Sequence, residues 1–489
     1  MVNTTAAFLS FFATTTAVVD TVSNTLFGNA SDVVTVSPPH AISPAPFGYK
    51  AGSAESVSNM KDKIKHVVWL LLENRSFDNI LGGVHRPGLD NPANMGDTCN
   101  PVDVSDPTGQ KLCTRPRDFD SIIHDPGHSI ASNCFQFYGQ SSPDNAAIQS
   151  GELVATNQGF IEKQIQAHVN KTGITAERAA AEVMGYYSEE EVPTMAKLVD
   201  EFLTFNYWFS CIPGVPHKPQ SRLRGFRNIR RPRQKRQGLQ YIRVAFHEHL
   251  RGSERARHIV AQLRRLEQRV WGYQLGNLSP DALFYSWTEK HAKKNVVPIE
   301  NFFQDAYLGL LPQLSYLNPS CCHENTNSMH PNGNVSYGQL FVKQIYDAIR
   351  QGPLWDQTLF VLTYDESGGF YDHVPSPLAV RTGINDTYTD HTHHYTFHFD
   401  RYGGRTPTWL VSPYVPKAHI ENYGTNPVTG NAEPYSATSV LKTLGLLWDI
   451  DDFTERVENS PSFDHLIGPK MRTDAPEIFP VPKPFPNDV

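Results

Sequence analysis

Two largely apolar runs, far apart in the sequence, each end in side chains carrying the oxygen atoms that divalent metal ions prefer. The run at 65–72 is followed directly by Glu73 and Asn74, and a second run is followed by Asp365 and Glu366. Short apolar runs of this kind are typical of strands that are buried on both faces of a parallel sheet. Ligands of such sheets bind just beyond the carboxyl ends of the strands. We therefore expect both acid pairs to lie at one edge of a sheet.

Carboxylates that lie close together repel one another unless a cation neutralises them. We predict that Glu73, Asn74, Asp365 and Glu366 hold one or two divalent metal ions, an arrangement that suits phosphate-ester chemistry. The alternatives are structural. The first two residues would then only cap a helix, and the second two would only form a turn with the glycines at 368–369.

Three blocks of this sequence resemble the signature blocks of the phosphoesterase family: 73–78, 365–374 and 404–413. That family contains bacterial and fungal phosphatidylcholine-type phospholipases C and related acid phosphatases. The resemblance runs from about 61 to 467, with one long gap. It implies an α/β fold with a doubly wound, mostly parallel sheet similar to that of alkaline phosphatase.

The resemblance also implies a hydrolase that acts on ester bonds of the phospholipase C or phosphatase type. The leading expectation is release of a phosphorylated head group from a phospholipid substrate, with possible peripheral contact to a membrane. An acid phosphatase acting on soluble phosphomonoesters is the close alternative. An inactive metal-binding relative that lacks the nucleophile is the third reading.

Three histidines match family positions near the phosphate: His128, His330 and His373. Imidazole can stabilise developing charge or protonate a leaving oxygen, which makes these residues candidate catalytic groups. His373 could instead orient its neighbour Asp372. The four histidines between 391 and 398 match no metal geometry, so a surface loop is expected there.

One segment differs sharply in composition from the rest of the chain. Residues 222–269 contain 14 arginines, one lysine and three acids, a balance of +12 in a chain whose formal net charge is −7. Such a segment suits a nucleic-acid or anionic-membrane patch. A shift of reading frame is the explanation we favour, because 217–221 and 227–236 can be encoded so that a one-base shift yields TNPNR and GTSAGHGKND, which resemble family blocks.

We therefore predict that about 215–278 is off-frame and takes no part in the core of the fold. The consequence for chemistry follows from the resemblance, which places a threonine or serine nucleophile where this chain reads Val215-Pro216-His217. A nucleophile is thus apparently missing near Pro216. The nearby hydroxyls of Ser210 and Ser221 are not expected to replace it, because in-line attack tolerates little displacement.

Composition favours one large catalytic domain at 61–489, preceded by a leader and loosely structured lead-in at 1–60. The net negative charge gives no reason to expect nucleic-acid binding. A weak apolar stretch near the N-terminus and sequons at Asn170 and Asn334 suggest a glycosylated protein that is secreted or associated with the cell wall. Six cysteines permit disulfides, and near neighbours Cys99 and Cys113 are the pair that we expect.

Local patterns predict several elements around these motifs. Helices are expected at 195–204, 340–350 and 437–448, and strands at 205–209 and 408–411. Strands that alternate with helices are typical of the α/β class.

Overall fold

An eight-stranded sheet lies at the centre of the protein in this computed structural model. The strands are β1 His66–Leu72, β2 Leu203–Phe205, β3 Val270–Gln274, β4 Val296–Pro298, β5 Leu314–Asn318, β6 Thr358–Tyr364, β7 Thr408–Val411 and β8 His419–Glu421. Their spatial order in the sheet is β8-β2-β7-β6-β1-β5-β3-β4. Strand β7 is antiparallel to both of its neighbours, and all other neighbouring pairs are parallel.

The structure describes residues 41–106, 108–117, 119–214, 270–274, 295–321, 325–381, 387–452, 454–483 and 485. All of them fall within one compact unit, His40–Val489. The first helix in the described part of the chain, Ala54–Lys63, contains the predicted domain start at Lys61, so ordered chain precedes that boundary.

Helices alternate with the strands of the sheet, most clearly between β4 and β6. The main helices are α1 Ala54–Lys63, α2 Phe77–Leu81, α3 Ile130–Tyr138, α4 Phe160–Thr172, α5 Ala176–Val183, α6 Pro193–Glu201, α7 Ile299–Leu308, α8 Val335–Gln351 and α9 Ala437–Trp448. Shorter helices span Pro92–Met95, Asn145–Ser150 and Glu455–Asn459. Together with the strand pairing, this arrangement confirms the predicted α/β class with a mostly parallel sheet.

The two strands that carry the acid pairs are direct neighbours in the centre of the sheet. Strand β1 runs parallel to β6 over its whole length, with Leu72 opposite Tyr364. Every residue of β6 is buried. The indole Nε1 of Trp69 donates a hydrogen bond of 2.8 Å to the hydroxyl of Thr363, which links the two strands on one face. Because both strands end at the same level, Glu73 and Asp365 begin their loops side by side.

The predicted strand at 205–209 is wrong in its extent. Leu203–Phe205 joins the central sheet, whereas Trp208–Phe209 pairs with Tyr435–Ser436 outside it. Between them, the side chain of Asn206 donates to the carbonyl of Gly88 and to the side chain of Asn422, which turns the chain away from the sheet. The helix predicted at 195–204 ends earlier, at Glu201, because the chain must enter β2.

The other local predictions agree with the structure. Helix α8 includes the predicted 340–350 and begins five residues earlier. Helix α9 and strand β7 have the predicted bounds. A disulfide joins Cys99 to Cys113, as expected, because the antiparallel strands Cys99–Pro101 and Lys111–Cys113 place these residues opposite each other.

Most of the predicted off-frame segment, 215–269 and 275–278, lies outside the described residues. Within it, however, Val270–Gln274 forms β3 and pairs with both β5 and β4. The expectation that the whole of 215–278 stays out of the core sheet is therefore wrong for these five residues. Valine, tryptophan and tyrosine favour the extended pleated conformation, which suits this stretch to strand pairing.

Candidate active site

Polar side chains converge where β1 and β6 end. The backbone N–H of Asn74 donates to Oδ1 of Asp365 at 2.9 Å. Its side-chain Nδ2 donates to Oε1 of Glu366 at 2.5 Å. One asparagine from the first loop thus holds both carboxylates of the second. Glu73 lies close enough to Asp365 and Glu366 for their charges to raise its pKa.

These carboxylates occupy an unfavourable environment for negative charge. Burial raises the pKa of Asp365 to about 7, against an ordinary value of 3.8. Burial also raises the pKa of Glu73 and of Glu366 well above their usual range, and the charge of Asp365 adds to the rise in both. A buried group of like charges is stable only when it is protonated or when a cation lies among the oxygens. The cluster therefore has the electrostatic character of a cation site.

Asn74 provides a second observation that fits a metal ion. Its side chain is fully buried, and its Oδ1 has no hydrogen-bond partner among the described residues. Its backbone is left-handed, with φ of 56°, a conformation that costs energy for a residue other than glycine. An amide oxygen left without a donor beside three carboxyl groups is the ligand type that hard divalent cations take. The residues present therefore fit a divalent metal ion.

Close backbone packing fixes this arrangement from the opposite loop. Gly368 has φ of 66°, and a Cβ atom placed on it would lie 2.1 Å from the carbonyl oxygen of Asn74. Only glycine allows this approach without displacing the loop. The backbone N–H of Gly368 also donates to Oε2 of Glu366 at 3.0 Å.

Two of the predicted histidines lie at this site. Nδ1 of His128 is 3.7 Å from Oε1 of Glu366, and the rings of His128 and His330 have centroids 6.0 Å apart. Ligand atoms of Asp125, His128 and His330 all lie within 4.8 Å of one another. Asp125 was missed by sequence reasoning, although its place three residues before His128 was a usable signal. Together with Glu366, these residues form one cluster of polar side chains.

The third predicted histidine lies in a separate buried cluster. Nδ1 of His373 is 2.7 Å from Oδ2 of Asp78, and Nε2 is 3.1 Å from Oδ1 of Asp90. Burial by itself would lower the pKa of His373, but the charge of Asp78 and hydrogen bonds to both carboxylates raise it to about 10. His373 is therefore held as an imidazolium with both nitrogens engaged.

Arg405 completes that cluster and was also missed by sequence reasoning. Its side chain is fully buried and contacts three carboxylates: Asp372 at 2.8 Å, Asp78 at 3.0 Å and Asp90 at 3.4 Å. His373 does not bond Asp372 directly, since Asp372 accepts from Arg405. The cluster joins helix α2, which follows the loop after β1, to the loop after β6, because Asp78 belongs to that helix and Asp372 to that loop.

Gly214, the last residue before the expected nucleophile block, lies against the backbone of His128. A Cβ atom on Gly214 would lie 2.2 Å from the carbonyl oxygen of His128, so these backbones touch. Positions 215–217 and Ser221 lie outside the described residues. Ser210 is buried, and its hydroxyl donates to the carbonyl of Ile212 at 3.0 Å. Of the histidines at 391–398, three lie in the turn between the paired strands Tyr388–Asp390 and Tyr395–Phe397, and His398 follows the second strand. His391 and His394 are exposed, which agrees with a surface loop at the turn, whereas the other two are half-buried.

Comparison with known proteins agrees with the motifs. The model of the Phosphoesterase family matches residues 64–219 and 277–451, which together are more than half of the chain. The chain belongs to the phosphoesterase family. It is accordingly a hydrolase that acts on phosphoester bonds. The unmatched part, 220–276, coincides closely with the arginine-rich segment.

Several relatives are phospholipases C by name. Non-specific phospholipase C6 of Arabidopsis thaliana is 31% identical over 455 residues, which cover 88% of this chain and 78% of that protein. Non-specific phospholipase C3 of the same plant is 28% identical over 444 residues, covering 85% and 76%. Non-hemolytic phospholipase C of Burkholderia pseudomallei is 35% identical over 121 residues, covering 23% and 17%.

Among solved structures, a protein of the alkaline phosphatase superfamily from Vibrio parahaemolyticus is similar over 55% of this chain and 63% of that one. The identity is 9% and the TM-score is 0.26. Similarity at that level is too low to assign a fold or a function, so the fold class rests on the strand pairing.

Proposed function

We propose that this protein is a metal-dependent phospholipase C-like hydrolase that releases a phosphorylated head group from a phospholipid. The observation that carries the proposal is the buried cluster of Glu73, Asp365 and Glu366 around the unpartnered Oδ1 of Asn74. Such a cluster is costly without a cation, and a cation in that position suits phosphate-ester chemistry. The names of the relatives favour the phospholipid as substrate.

One or two divalent metal ions would be held by Glu73, Asn74, Asp365 and Glu366. When bound, such an ion supplies positive charge that attracts and polarises a phosphate group. The protein supplies the rest. Asn74 fixes the two carboxylates of the second loop, and the tight packing of Gly368 keeps Asn74 in place.

His128 and His330 are proposed as the groups that act on the phosphate ester. Both are buried, both lie beside Asp125, and His128 lies beside Glu366. In this position an imidazole can donate a proton to the departing alcohol oxygen or stabilise charge on the phosphate.

For His373 we propose a positioning role in place of the expected catalytic one. A group that holds its proton up to a pH of about 10, with carboxylates on both nitrogens, is poorly suited to exchange that proton near neutrality. With Arg405 it ties Asp78 to Asp372, and so aligns the two loops that carry the carboxylate cluster.

Hydrolysis of two chromogenic substrates, with and without a chelator, tests the function. We expect the chelator to abolish turnover and p-nitrophenyl phosphorylcholine to be preferred over p-nitrophenyl phosphate. Preference for the phosphate monoester would favour the acid phosphatase alternative. Turnover that survives exhaustive chelation would contradict metal dependence.

The inactive alternative is favoured by one specific observation. The sequence reads Val215-Pro216-His217 where the family resemblance requires a hydroxyl, and the family match breaks off at residue 219. The carboxylates and histidines remain, so the printed chain would retain metal and phosphate binding while lacking the group that begins the attack.

We also propose a secreted or cell-wall-associated glycoprotein that contacts membranes peripherally. The Cys99–Cys113 disulfide suits an oxidising compartment. Asn170 is exposed at the end of α4, as a glycan acceptor must be. Asn334 suits that role less well, because its Nδ2 donates to Asp120 at 3.1 Å. No helix in the described part of the chain has the length and hydropathy to cross a bilayer.

A further inference from the structure

A cavity of about 410 Å³ lies outside the carboxylate cluster and is lined by two arginines, Arg115 and Arg117. Its volume falls in the range of about 300–1,000 Å³ that is typical of ligand sites. Arg115 is exposed on the short strand Arg115–Pro116, which pairs with Gly185–Tyr186. Arg117 follows directly and is buried, with 4% of its surface exposed.

The guanidinium of Arg117 is incompletely paired. Its Nη1 donates to the carbonyl of Glu182 at 3.1 Å. Its Nε and Nη2 are buried, and neither has a hydrogen-bond partner in the part of the chain that the structure describes. No carboxylate is in salt-bridge contact with it among the described residues, and the rings of Tyr187 and Phe119 lie 5.1 and 5.4 Å away. A buried cation with two unused donors is costly unless an anion compensates it.

The nearby carboxylates do not compensate the charge of Arg117, because both already accept hydrogen bonds from other groups. Glu182 is engaged by Arg178 and His124, each at 2.8 Å. Glu191 also lines the cavity, but its Oε2 accepts from both the backbone N–H and the hydroxyl of Ser188. Two arginines therefore face one carboxylate that already has donors, so the described lining of the cavity carries a net positive charge.

Backbone packing around Gly185 and Tyr186 holds Arg117 in place. A Cβ atom on Gly185 would lie 3.0 Å from both Cβ and Cδ of Arg117, so glycine makes room for the arginine stem. The backbone N–H of Arg117 donates to the carbonyl of Tyr186 at 2.9 Å. The position of the guanidinium is thus fixed by packing before any ligand arrives.

We propose that the Arg115–Arg117 cavity is a second anion site, which binds a phosphate monoester group. Arginine presents its N–H donors in a planar fork that matches phosphate oxygens, and the two free donors of Arg117 are Nε and one terminal nitrogen, a suitable pair for bidentate contact. The same chemistry is carried by a soluble phosphorylated head group and by the head group of an anionic lipid such as phosphatidic acid. The site goes beyond the proposed hydrolase function and does not depend on it.

Binding of inorganic phosphate to the full chain tests the site. Equilibrium dialysis is done in a chelator, because without a metal ion the carboxylate cluster offers no positive charge that would bind phosphate. We expect Arg117→Met to weaken binding by about tenfold to a hundredfold, the usual effect of losing charge-assisted hydrogen bonds. The matched control is Arg350→Met. Arg350 also stacks on an aromatic ring, that of Trp355, and its Nε also has no partner among the described residues, but it lies at the end of α8 and does not line the cavity.

Folding failure does not confound the test. Methionine replaces a buried, incompletely paired charge with an apolar side chain, so Arg117→Met is expected to melt at or above the wild-type temperature. Arg115→Ala provides an independent variant, because Arg115 is exposed and its removal leaves the fold intact. We expect several-fold weaker phosphate binding in that variant, and at one phosphate concentration the melting temperature of the wild type should rise more than that of either arginine variant.

Phosphocholine and vesicles that contain phosphatidic acid distinguish the source of the phosphate. Arg117-dependent binding of phosphocholine indicates a soluble head group, and Arg117-dependent binding of the vesicles alone indicates a lipid. Equal phosphate binding by wild type, Arg117→Met and Arg115→Ala would overturn the proposal. So would an equal loss of phosphate binding in the Arg350→Met control.

Discussion

Removal of metal should make the stability of this protein fall as the pH rises. In the folded, metal-free chain the pKa of Asp365 is raised to about 7, whereas an unfolded aspartate titrates near 3.8. Between these two values the folded protein holds a proton that the unfolded chain has released. The contribution of Asp365 to stability therefore decreases as the pH rises from about 4 to about 7, and stays at the lower level above that.

The size of this loss follows from the same two values. Each tenfold change in proton affinity is worth about 1.4 kcal/mol, so Asp365 contributes a loss of about 4 kcal/mol in this interval. That is a large part of the roughly 5–15 kcal/mol that stabilises a typical protein. A divalent ion reverses the trend, because it binds the ionised carboxylates in the folded state only.

Urea unfolding at several pH values between 4.5 and 7.5, in chelator and in excess divalent metal, measures this difference. Asp372, whose pKa is also raised by burial, to about 6, contributes equally to both curves and cancels in the comparison. Asp365→Asn should reduce the pH dependence of the chelated protein by the contribution of Asp365, while the buried Glu73, Glu366 and Asp372 keep theirs, and it should lose most of the stabilisation by metal. Identical pH profiles with chelator and with metal would refute the reasoning.

Three further predictions address other parts of the site. Arg405→Met should lower the free energy of unfolding by about 3–5 kcal/mol in urea titrations, because it strands buried carboxylates that Arg405 now pairs; a change below about 1 kcal/mol would contradict this. Gly368→Ala should destabilise the protein and weaken metal binding, measured by calorimetry, because its Cβ meets the carbonyl of Asn74. The control Gly430→Ala, at φ of 77° with open space around it, should cost only about 1 kcal/mol, and equal effects of the two would refute the packing argument. A frame-restored chain should hydrolyse p-nitrophenyl phosphorylcholine several orders of magnitude faster than the printed chain, and equal turnover would show that no nucleophile is missing.

The sequence determined the position of the carboxylate cluster because the signals are local. A buried strand is written as a short apolar run, and the polar residues that end it appear at the next position in the chain. Glu73 and Asp365 follow such runs, so the rule that parallel strands present their carboxyl ends at one edge was enough to bring them together. Cys99 and Cys113 were predictable for a similar reason, since a short hairpin joins them.

Tertiary structure decided which charges are paired. Arg405 lies 327 positions from Asp78, and nothing in the local sequence shows that it contacts three carboxylates while His373 contacts two of these and not its neighbour Asp372. The strand Val270–Gln274 likewise joined the central sheet although it lies within the range 215–278 that the reading-frame argument excluded from the core.

The incomplete pairing of Arg117 also appears only in the folded chain. The residues next to Arg117 in sequence give no sign that it is buried. The free-energy cost of burying its guanidinium depends on how many of its N–H donors remain without a partner after packing. Apolar periodicity and strand ends follow from the order of residues along the chain, whereas the balance of buried charges depends on distances of 3–4 Å between segments that are remote in sequence. For this protein, the first kind of information located the carboxylate cluster, and the second showed which charged groups around it are paired.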